Sequence, residues 1–532
     1  MKFSFSKAKL PKFANVILAL ISVILLTLSF PDFDLWFIAW FGLVPLFYAI
    51  EREKESFVKS AVLGWIFGMG FFFGTCWWLT FAMTTYGGLP WYLSYFLVFI
   101  IVSIVGLYSA VFAGLLSLLL KRFGSYAIFA APFLWTALEF ARYYISFNNW
   151  NEIAYSQLFN PTLIQSASYG GIYLVGFLVL QTNAFLSFIF LPVQKTKLIF
   201  RLIPIFAVLF AIFIIIFSYQ NQTVAVSSAE KTTDTSSVNV VAIQANVPMS
   251  GLNYEKWLNL RERHVKLAEE GLEKLKQQQP DYKEKPLLVI FPESPMNFMY
   301  AEDSEFRQFI TNFALKHNAY VLFNSAEPNE LKGNYFNSAV LLNAEGRKIG
   351  QYDKIYLVPF GEYAPVPEEV QKVVPTLIGS FELGKEYDIF NIGEIKAGIL
   401  ICYESHFPTL AREFVKNGAD VLIEMTNDGY LGKTGVLKQH LASAVFRAVE
   451  TNRPVLRTTN VGITGYINER GEIMNASESY TEDIRVWSMT KSDGSKTFYV
   501  KYGDWFAWLS IIVSFGLLIL SFRKRNTEFI KA

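Results

Sequence analysis

The feature that most limits the fold is the placement of apolar runs. A helix needs about 20 apolar residues to cross a hydrocarbon core roughly 30 Å thick. Eight stretches approach that requirement, near 14–30, 35–50, 58–82, 92–120, 125–145, 168–192, 199–218 and 505–522. The chain of 532 residues is 52% hydrophobic, and the excess sits in 14–218 and 505–522. Residues 219–504 lack such runs. The pattern predicts a multi-pass α-helical membrane bundle of about eight spans with one large domain outside the lipid. The first run follows Lys7, Lys9 and Lys12 as a signal peptide would, but it is long and leads into Phe30-Pro31-Asp32 rather than a small-residue cleavage site. It reads as an uncleaved anchor.

Loop charge sets the orientation. Basic residues cluster at the N-terminus, at Arg52, Lys54 and Lys59, at Lys121 and Arg122, at Lys195, Lys197 and Arg201, and at Arg523, Lys524 and Arg525. The alternate short loops carry Asp32, Asp34 and Glu152, and 83–91 carries no charge. Eight spans with both termini inside put every basic cluster on the cytoplasmic face. The segment between the last two spans then lies outside.

That segment reads as α/β. After a polar Ser/Thr-rich linker at 219–237, short β-branched runs alternate with helical patterns. Val238-Asn-Val-Val-Ala-Ile, Leu287-Leu-Val-Ile-Phe, Ala319-Tyr-Val-Leu-Phe, Ala397-Gly-Ile-Leu-Ile and Val421-Leu-Ile-Glu-Met are the predicted strands, and 255–278 is a predicted helix. Continuous apolar runs of this kind suit strands covered on both faces. The expected layout is a seven-span bundle at 1–218, a linker at 219–237, an outer α/β domain at 238–503, and a last span with a basic tail at 504–532.

Several function classes fall away. A net charge of +2 gives no electrostatic footprint for nucleic acid. Two cysteines, Cys76 and Cys402, cannot form a disulfide framework or a cysteine-rich zinc site. Four scattered histidines do not suggest a metal centre. No metal or cofactor is expected.

Three residues beside predicted strands carry chemistry. Glu293 follows Val289-Ile-Phe-Pro, Cys402 follows Gly398-Ile-Leu-Ile, and Lys354 precedes Ile355-Tyr-Leu-Val-Pro. Loops at strand ends are where α/β folds place reactive groups. A lone cysteine after an apolar run is usually a small buried hydrophobe, and Cys76, inside a span beside Trp77 and Trp78, reads that way. Cys402 has different company. A thiol attacks only as thiolate, a carboxylate in reach can take its proton, and an ammonium stabilises both thiolate and developing oxyanion. Glu293, Lys354 and Cys402 thus form a complete acyl-transfer set without histidine. Glu139 and Arg142, one turn apart near the outer end of the fifth span, are also candidates because charge at membrane depth is usually functional; a structural ion pair is the competing reading.

The outer domain resembles the nitrilase (carbon–nitrogen hydrolase) superfamily, which uses Glu, Lys and Cys and folds as an αββα sandwich. The resemblance rests on Phe291-Pro-Glu293-Ser, Tyr352-Asp-Lys354, Ile401-Cys402-Tyr-Glu404, Thr426-Asn-Asp-Gly-Tyr430, Gln439-His-Leu with Arg447-Ala-Val-Glu450, and Leu456-Arg-Thr-Thr-Asn-Val-Gly-Ile-Thr464. Over its full length the chain is similar to the apolipoprotein N-acyltransferase family, through Leu357-Val-Pro-Phe-Gly-Glu362-Tyr, Tyr155-Ser-Gln157 and Gln244-Ala-Asn246. The family's Lys-Trp pair arrives later than usual, at Lys256-Trp257.

The resemblance implies transfer of an acyl chain from a phospholipid, phosphatidylethanolamine as expected donor, to the α-amino group of diacylglyceryl-cysteine on an apolipoprotein. It implies a Cys402 thioester, Glu293 as general base, and Lys354 with the Tyr403 N–H as oxyanion donors. Glu362 and Glu404 would support the triad, and Trp257 and Gln157 would contact substrate. It places the protein in a bacterial inner membrane with its catalytic domain in the periplasm. Val373-Val-Pro-Thr-Leu-Ile and Phe381 are apolar outer-loop residues that either dip into the lipid or form a lid, or simply pack. The alternative is a membrane-bound nitrilase-type amidase with water as acceptor, for which one anchor helix would suffice.

Overall fold

The computed structural model describes residues 10–146, 150–192, 236–250, 253–293, 298–329, 333–365 and 380–523, with isolated positions between 209 and 216. The seventh expected span, most of the linker, the Val373–Ile378 stretch and the basic tail lie outside the described residues. The chain forms two compact units, one of residues 1–80, 90–220 and 504–532, the other of 81–89 and 221–503.

In the first unit, four helices among the described residues are long and apolar enough to cross a membrane: Phe57–Cys76, Trp91–Phe123, Ala167–Phe190 and Trp505–Phe522. Phe13–Leu28 is apolar but shorter. Small residues let two of these helices approach closely. A Cβ on Gly64 would lie 2.1 Å from the Ser109 carbonyl oxygen, so Phe57–Cys76 and Trp91–Phe123 meet backbone to backbone.

The stretch at 35–50 departs from expectation. It is not one helix but a 3-10 turn at Trp36–Trp40 followed by Val44–Arg52, with Pro45 in the first turn of the latter. Proline supplies no N–H and suits a helix start, so the continuous helix breaks there. The exposed backbone groups are satisfied from another helix. Asn183 accepts from the Leu43 N–H at 2.8 Å and donates to the Ala39 carbonyl at 2.8 Å. Inside an apolar bundle that pairing is obligatory rather than decorative.

Glu139 and Arg142 act in the same way. Glu139 Oε1 accepts from the Ile153 N–H at 3.0 Å, and Arg142 Nη1 donates to the Trp150 carbonyl at 2.8 Å. They hold the backbone of the turn after their helix, Ala131–Ser146. Cys76 is buried and accepts from Asn151 Nδ2 at 3.2 Å, as a packing residue.

The second unit is a sandwich of two sheets. The first runs β13-β1-β2-β3-β4-β5, with β6 beside β4; the second runs β12-β11-β10-β9-β8-β7. The strands are β1 Ser237–Gln244, β2 Leu287–Ile290, β3 Tyr320–Asn329, β4 Asn334–Leu342, β5 Lys348–Asp353, β6 Phe381–Glu382, β7 Ile389–Ile392, β8 Ile395–Ile401, β9 Val421–Thr426, β10 Val455–Thr459, β11 Gly465–Ile467, β12 Ile473–Met474 and β13 Asp483–Thr490. Each sheet has a parallel centre, β1-β2-β3 in one and β8-β9-β10 in the other. All five predicted strands are present.

Helices Tyr254–Gln278 and Ser304–His317 pack on the first sheet, burying Leu267, Leu272, Phe306 and Phe313 against Val241, Val289 and Val321. Ser304–His317 starts on Asp303, whose side chain accepts from the Phe306 N–H at 2.8 Å, and stops on Asn318 in the left-handed conformation. Phe306 is 2% exposed, so its truncation to alanine should cost about 3–5 kcal/mol. The second sheet carries Pro408–Lys416 and Val436–Thr451, the latter buried at every position but the half-buried Lys438. Parallel strands of both sheets thus end in one region, where polar side chains converge.

Candidate active site

Glu293, Lys354 and Cys402 reach that region from three elements. Glu293 follows β2, Lys354 follows β5, and Cys402 follows β8 at φ +53°, a backbone conformation that few non-glycine residues hold. That sharp turn tips the thiol out of the strand into a cleft lined by Glu293, Asn324, Asn337, Lys354, Glu362 and Cys402. The three predicted catalytic residues therefore share one cavity.

Lys354 is fully buried with its Nζ 2.8 Å from Glu362 Oε1 and 3.8 Å from Glu293 Oε1. Burial opposes its charge, but Glu362 and Glu293 outweigh that and hold it above the usual lysine range. Glu362 also accepts from the Val358 N–H at 2.8 Å. It is fixed by the loop that carries Lys354 and holds the lysine in turn.

Glu293 has its two oxygens held separately, Oε1 by Asn337 Nδ2 at 3.0 Å and Oε2 by the Asn427 N–H at 3.1 Å. Burial pushes its carboxyl above the ordinary glutamate range, Lys354 opposes this, and Glu362 adds to it. The Cys402 thiol is half-buried. Burial and then the Glu293 charge push it well above the usual thiol value, against the pull of Lys354. Burial thus favours the neutral thiol over the thiolate.

Glu404 is held by hydrogen bonds rather than by an ion pair. It is fully buried and accepts from Tyr352 Oη at 2.7 Å and from the backbone of Ile355 at 2.7 Å, Tyr356 at 3.1 Å and Ile401 at 2.8 Å. Burial raises its carboxyl to about 7 against those donors. Its role is to tie the Cys402 turn to the Lys354 loop. Tyr403 packs its ring on Phe407 at 5.1 Å. Phe381 lines the cleft.

Two expected substrate contacts fall elsewhere. Trp257 lies against the core of the first sheet, its ring 5.9 Å from Phe298 and 5.0 Å from the Arg261 guanidinium, and is not among the described residues lining the cleft. Gln157 belongs to the helical unit, where it accepts from Trp40 Nε1 at 3.0 Å and donates to the Trp36 carbonyl at 3.1 Å. Sequence reasoning missed Asn337 and Asn427 as the groups that aim Glu293. Asn427 sat in a quoted motif, whereas Asn337 had no local signal.

Residues 22–185 match the model of the apolipoprotein N-acyltransferase N-terminal domain, and residues 252–500 match that of carbon-nitrogen hydrolase. The apolipoprotein N-acyltransferase of Geobacter metallireducens is 31% identical over 529 residues, covering 96% of each chain. The chain belongs to the apolipoprotein N-acyltransferase family. The Thermotoga maritima relative is 30% identical over 516 residues, covering 95% of this chain and 94% of its own. The Photobacterium profundum relative is 24% identical over 534 residues, covering 97% and 96%. Family membership accounts for both units in one polypeptide, an N-terminal helical region with candidate membrane spans and a nitrilase-like α/β sandwich.

Proposed function

We propose that this acyltransferase works through a thioester on Cys402. Glu293 accepts the thiol proton as sulfur attacks an ester carbonyl of a phospholipid. The new S–C bond gives a tetrahedral oxyanion, stabilised by Lys354 and the Tyr403 N–H. The ester C–O bond then breaks, and Glu293 returns the proton to the departing lysophospholipid oxygen. In the second half, the neutral α-amine of a diacylglyceryl-cysteine N-terminus attacks the thioester and gives its proton to Glu293. Collapse forms the amide and releases Cys402 as thiol.

The observation that carries this reading is the Glu362–Lys354–Glu293 ion cluster opening onto the cleft that holds Cys402. The preferred donor is phosphatidylethanolamine, attacked at its sn-1 ester. Eight spans, both termini cytoplasmic, and a catalytic domain on the periplasmic face complete the proposal, supported by the basic loop clusters. A surface site suits the cargo, since exposing an acyl chain to water costs about 0.8 kcal/mol per CH₂.

The test supplies phospholipid and a diacylglyceryl lipopeptide to the full-length protein and follows products by mass spectrometry. N-acylated peptide and an acyl adduct on the Cys402 peptide are expected, and Cys402→Ala should lose both. Release of free fatty acid in place of acylated peptide would favour the amidase-like reading.

A further inference from the structure

Beneath Cys402 lies a second buried charged cluster that the acyl-transfer scheme leaves unused. It comprises Glu424 on β9, Asp428 after it, Arg457 on β10 and His440 on helix Val436–Thr451, all at most 2% exposed. Arg457 contacts Glu424 at 2.5 Å and Asp428 Oδ2 at 2.9 Å. His440 sits between the carboxylates and the nucleophile's own backbone. Its Nδ1 is 2.7 Å from Asp428 Oδ1, and its Nε2 is 3.1 Å from the Cys402 carbonyl oxygen and 3.3 Å from Glu424 Oε1.

These ring-nitrogen contacts are all to hydrogen-bond acceptors. Both nitrogens must therefore carry hydrogen, which makes the ring an imidazolium. Burial opposes that charge, but Asp428 and Glu424 overcome burial and the repulsion of Arg457, raising His440 to about 9. The neighbouring ring of His406, stacked at 5.2 Å, is kept neutral by its burial and by the His440 charge.

We propose that His440 is the positioning residue for the nucleophile turn, pinning the Cys402 carbonyl so that the following N–H faces the reacting centre. The reason is peptide geometry. In a planar trans peptide, the C=O of Cys402 and the N–H of Tyr403 point in opposite directions. An N–H donated to that carbonyl from below holds the Tyr403 N–H away from the cluster. The same helix grips the turn twice more, through Ser443 to Ser405 at 2.6 Å and Arg447 Nη1 to the Ser405 carbonyl at 3.0 Å. Ser405 Oγ adds a longer contact to the Cys402 carbonyl at 3.4 Å. The φ of +53° at Cys402 is thus held from outside the turn. A charged donor on the carbonyl also polarises the peptide and makes its N–H a stronger donor.

This inference rests on the thioester reading, and its test separates the two. Single-turnover thioester formation is followed by mass spectrometry in the full-length protein, with rates normalised to the final amount of acylated Cys402. Glutamine can place an N–H where Nε2 stands, whereas asparagine reaches only the Nδ1 position beside Asp428. His440→Ala and His440→Asn should slow acylation by about 10- to 100-fold, with the donor concentration for half-maximal rate unchanged. His440→Gln should recover about tenfold of that loss. If His440→Ala does not fold, the glutamine and asparagine variants decide. Equal rates for these two, or wild-type rates in both, would overturn the positioning role. Absence of thioester in the wild-type protein would instead sink the covalent scheme.

Discussion

One amide nitrogen serves two carboxylates: Asn337 Nδ2 lies 3.0 Å from Glu293 Oε1 and 2.7 Å from Glu362 Oε1. Its own Oδ1 accepts from Asn324 Nδ2 at 2.7 Å, which fixes the amide orientation. Glu293, the proposed proton acceptor, and Glu362, the carboxylate that holds Lys354, are thereby locked at one spacing. Asn337→Leu keeps the volume but removes both donors. A hydrogen bond to a charged group is worth about 1.5–3 kcal/mol, so thioester formation should fall on the order of 10- to 100-fold. Asn337→Asp should be worse, because a third carboxylate joins two. Rapid-quench mass spectrometry of the acyl adduct reads this directly; a rate unchanged in Asn337→Leu rules the bridge out.

The rate should depend on pH through Glu293. A general base works only when ionised, so activity rises with pH through its pKa. Burial and then the Glu362 charge, opposed by Lys354, hold that value above the ordinary glutamate range. Removing one negative neighbour makes ionisation easier. Glu362→Gln should therefore move the acid limb of the acylation profile to lower pH, while lowering the maximum rate because Lys354 loses its 2.8 Å partner. An acid limb that stays in place or moves up would separate Glu293 from that limb.

Gly384 tests how closely Lys354 is supported from behind. The Gly384 N–H donates to the Lys354 carbonyl at 2.8 Å, and a Cβ there would lie 1.9 Å from the Asp353 carbonyl oxygen. Gly384→Ala must displace the backbone that aims Lys354. We expect at least a tenfold loss of acylation, since small misplacements of a catalytic group are costly, in a protein whose melting temperature falls by a few degrees. Full activity in Gly384→Ala would show that the lysine loop tolerates the shift.

The cluster around His440 predicts a pH dependence of stability. A histidine raised from about 6.5 to about 9 contributes stability that is fully present below the lower value and lost as pH rises through the higher one. Asp428, lowered to about 2 against its burial by His440 and Arg457, contributes above about 3.9 and fails only as pH falls towards its folded value. The melting temperature of the full-length protein should drop between these two histidine values. That drop should be smaller in His440→Gln, as differential scanning fluorimetry can show. An equal drop in both would assign the loss to other groups.

Much of the fold and of the cleft lining was legible in the chain because strands and the residues that follow them carry local signals. The run ending in Phe291-Pro-Glu293 and the run ending in Ile401-Cys402 are adjacent in sequence to what they position. Asn337 is different. It meets Lys354 because β4 and β5 pair antiparallel, with Ser338 opposite Asp353, and nothing near Asn337 announces that register. His440 lay in a recognised motif, yet its task depends on a carbonyl 38 residues earlier. The stretch at 35–50 misled because mean hydropathy is indifferent to Pro45, and because Asn183, which makes the break tolerable, is supplied by a distant helix. Trp257 resisted assignment for a related reason, since an aromatic that packs on a core and one that faces a substrate look alike in sequence.

Residues 81–89 fold as part of the catalytic unit although the chain delivers them from among the membrane helices. Phe81 sits where a side chain on Gly432 would clash, and Tyr86 donates to the Gly429 carbonyl at 3.4 Å and stacks edgewise on Tyr430 at 5.5 Å. The two halves are therefore not exchangeable modules. A hybrid gene joined near residue 220 would pair one parent's nine-residue insert with the other parent's Gly429–Gly432 turn, so both sides of that small contact would have to change together.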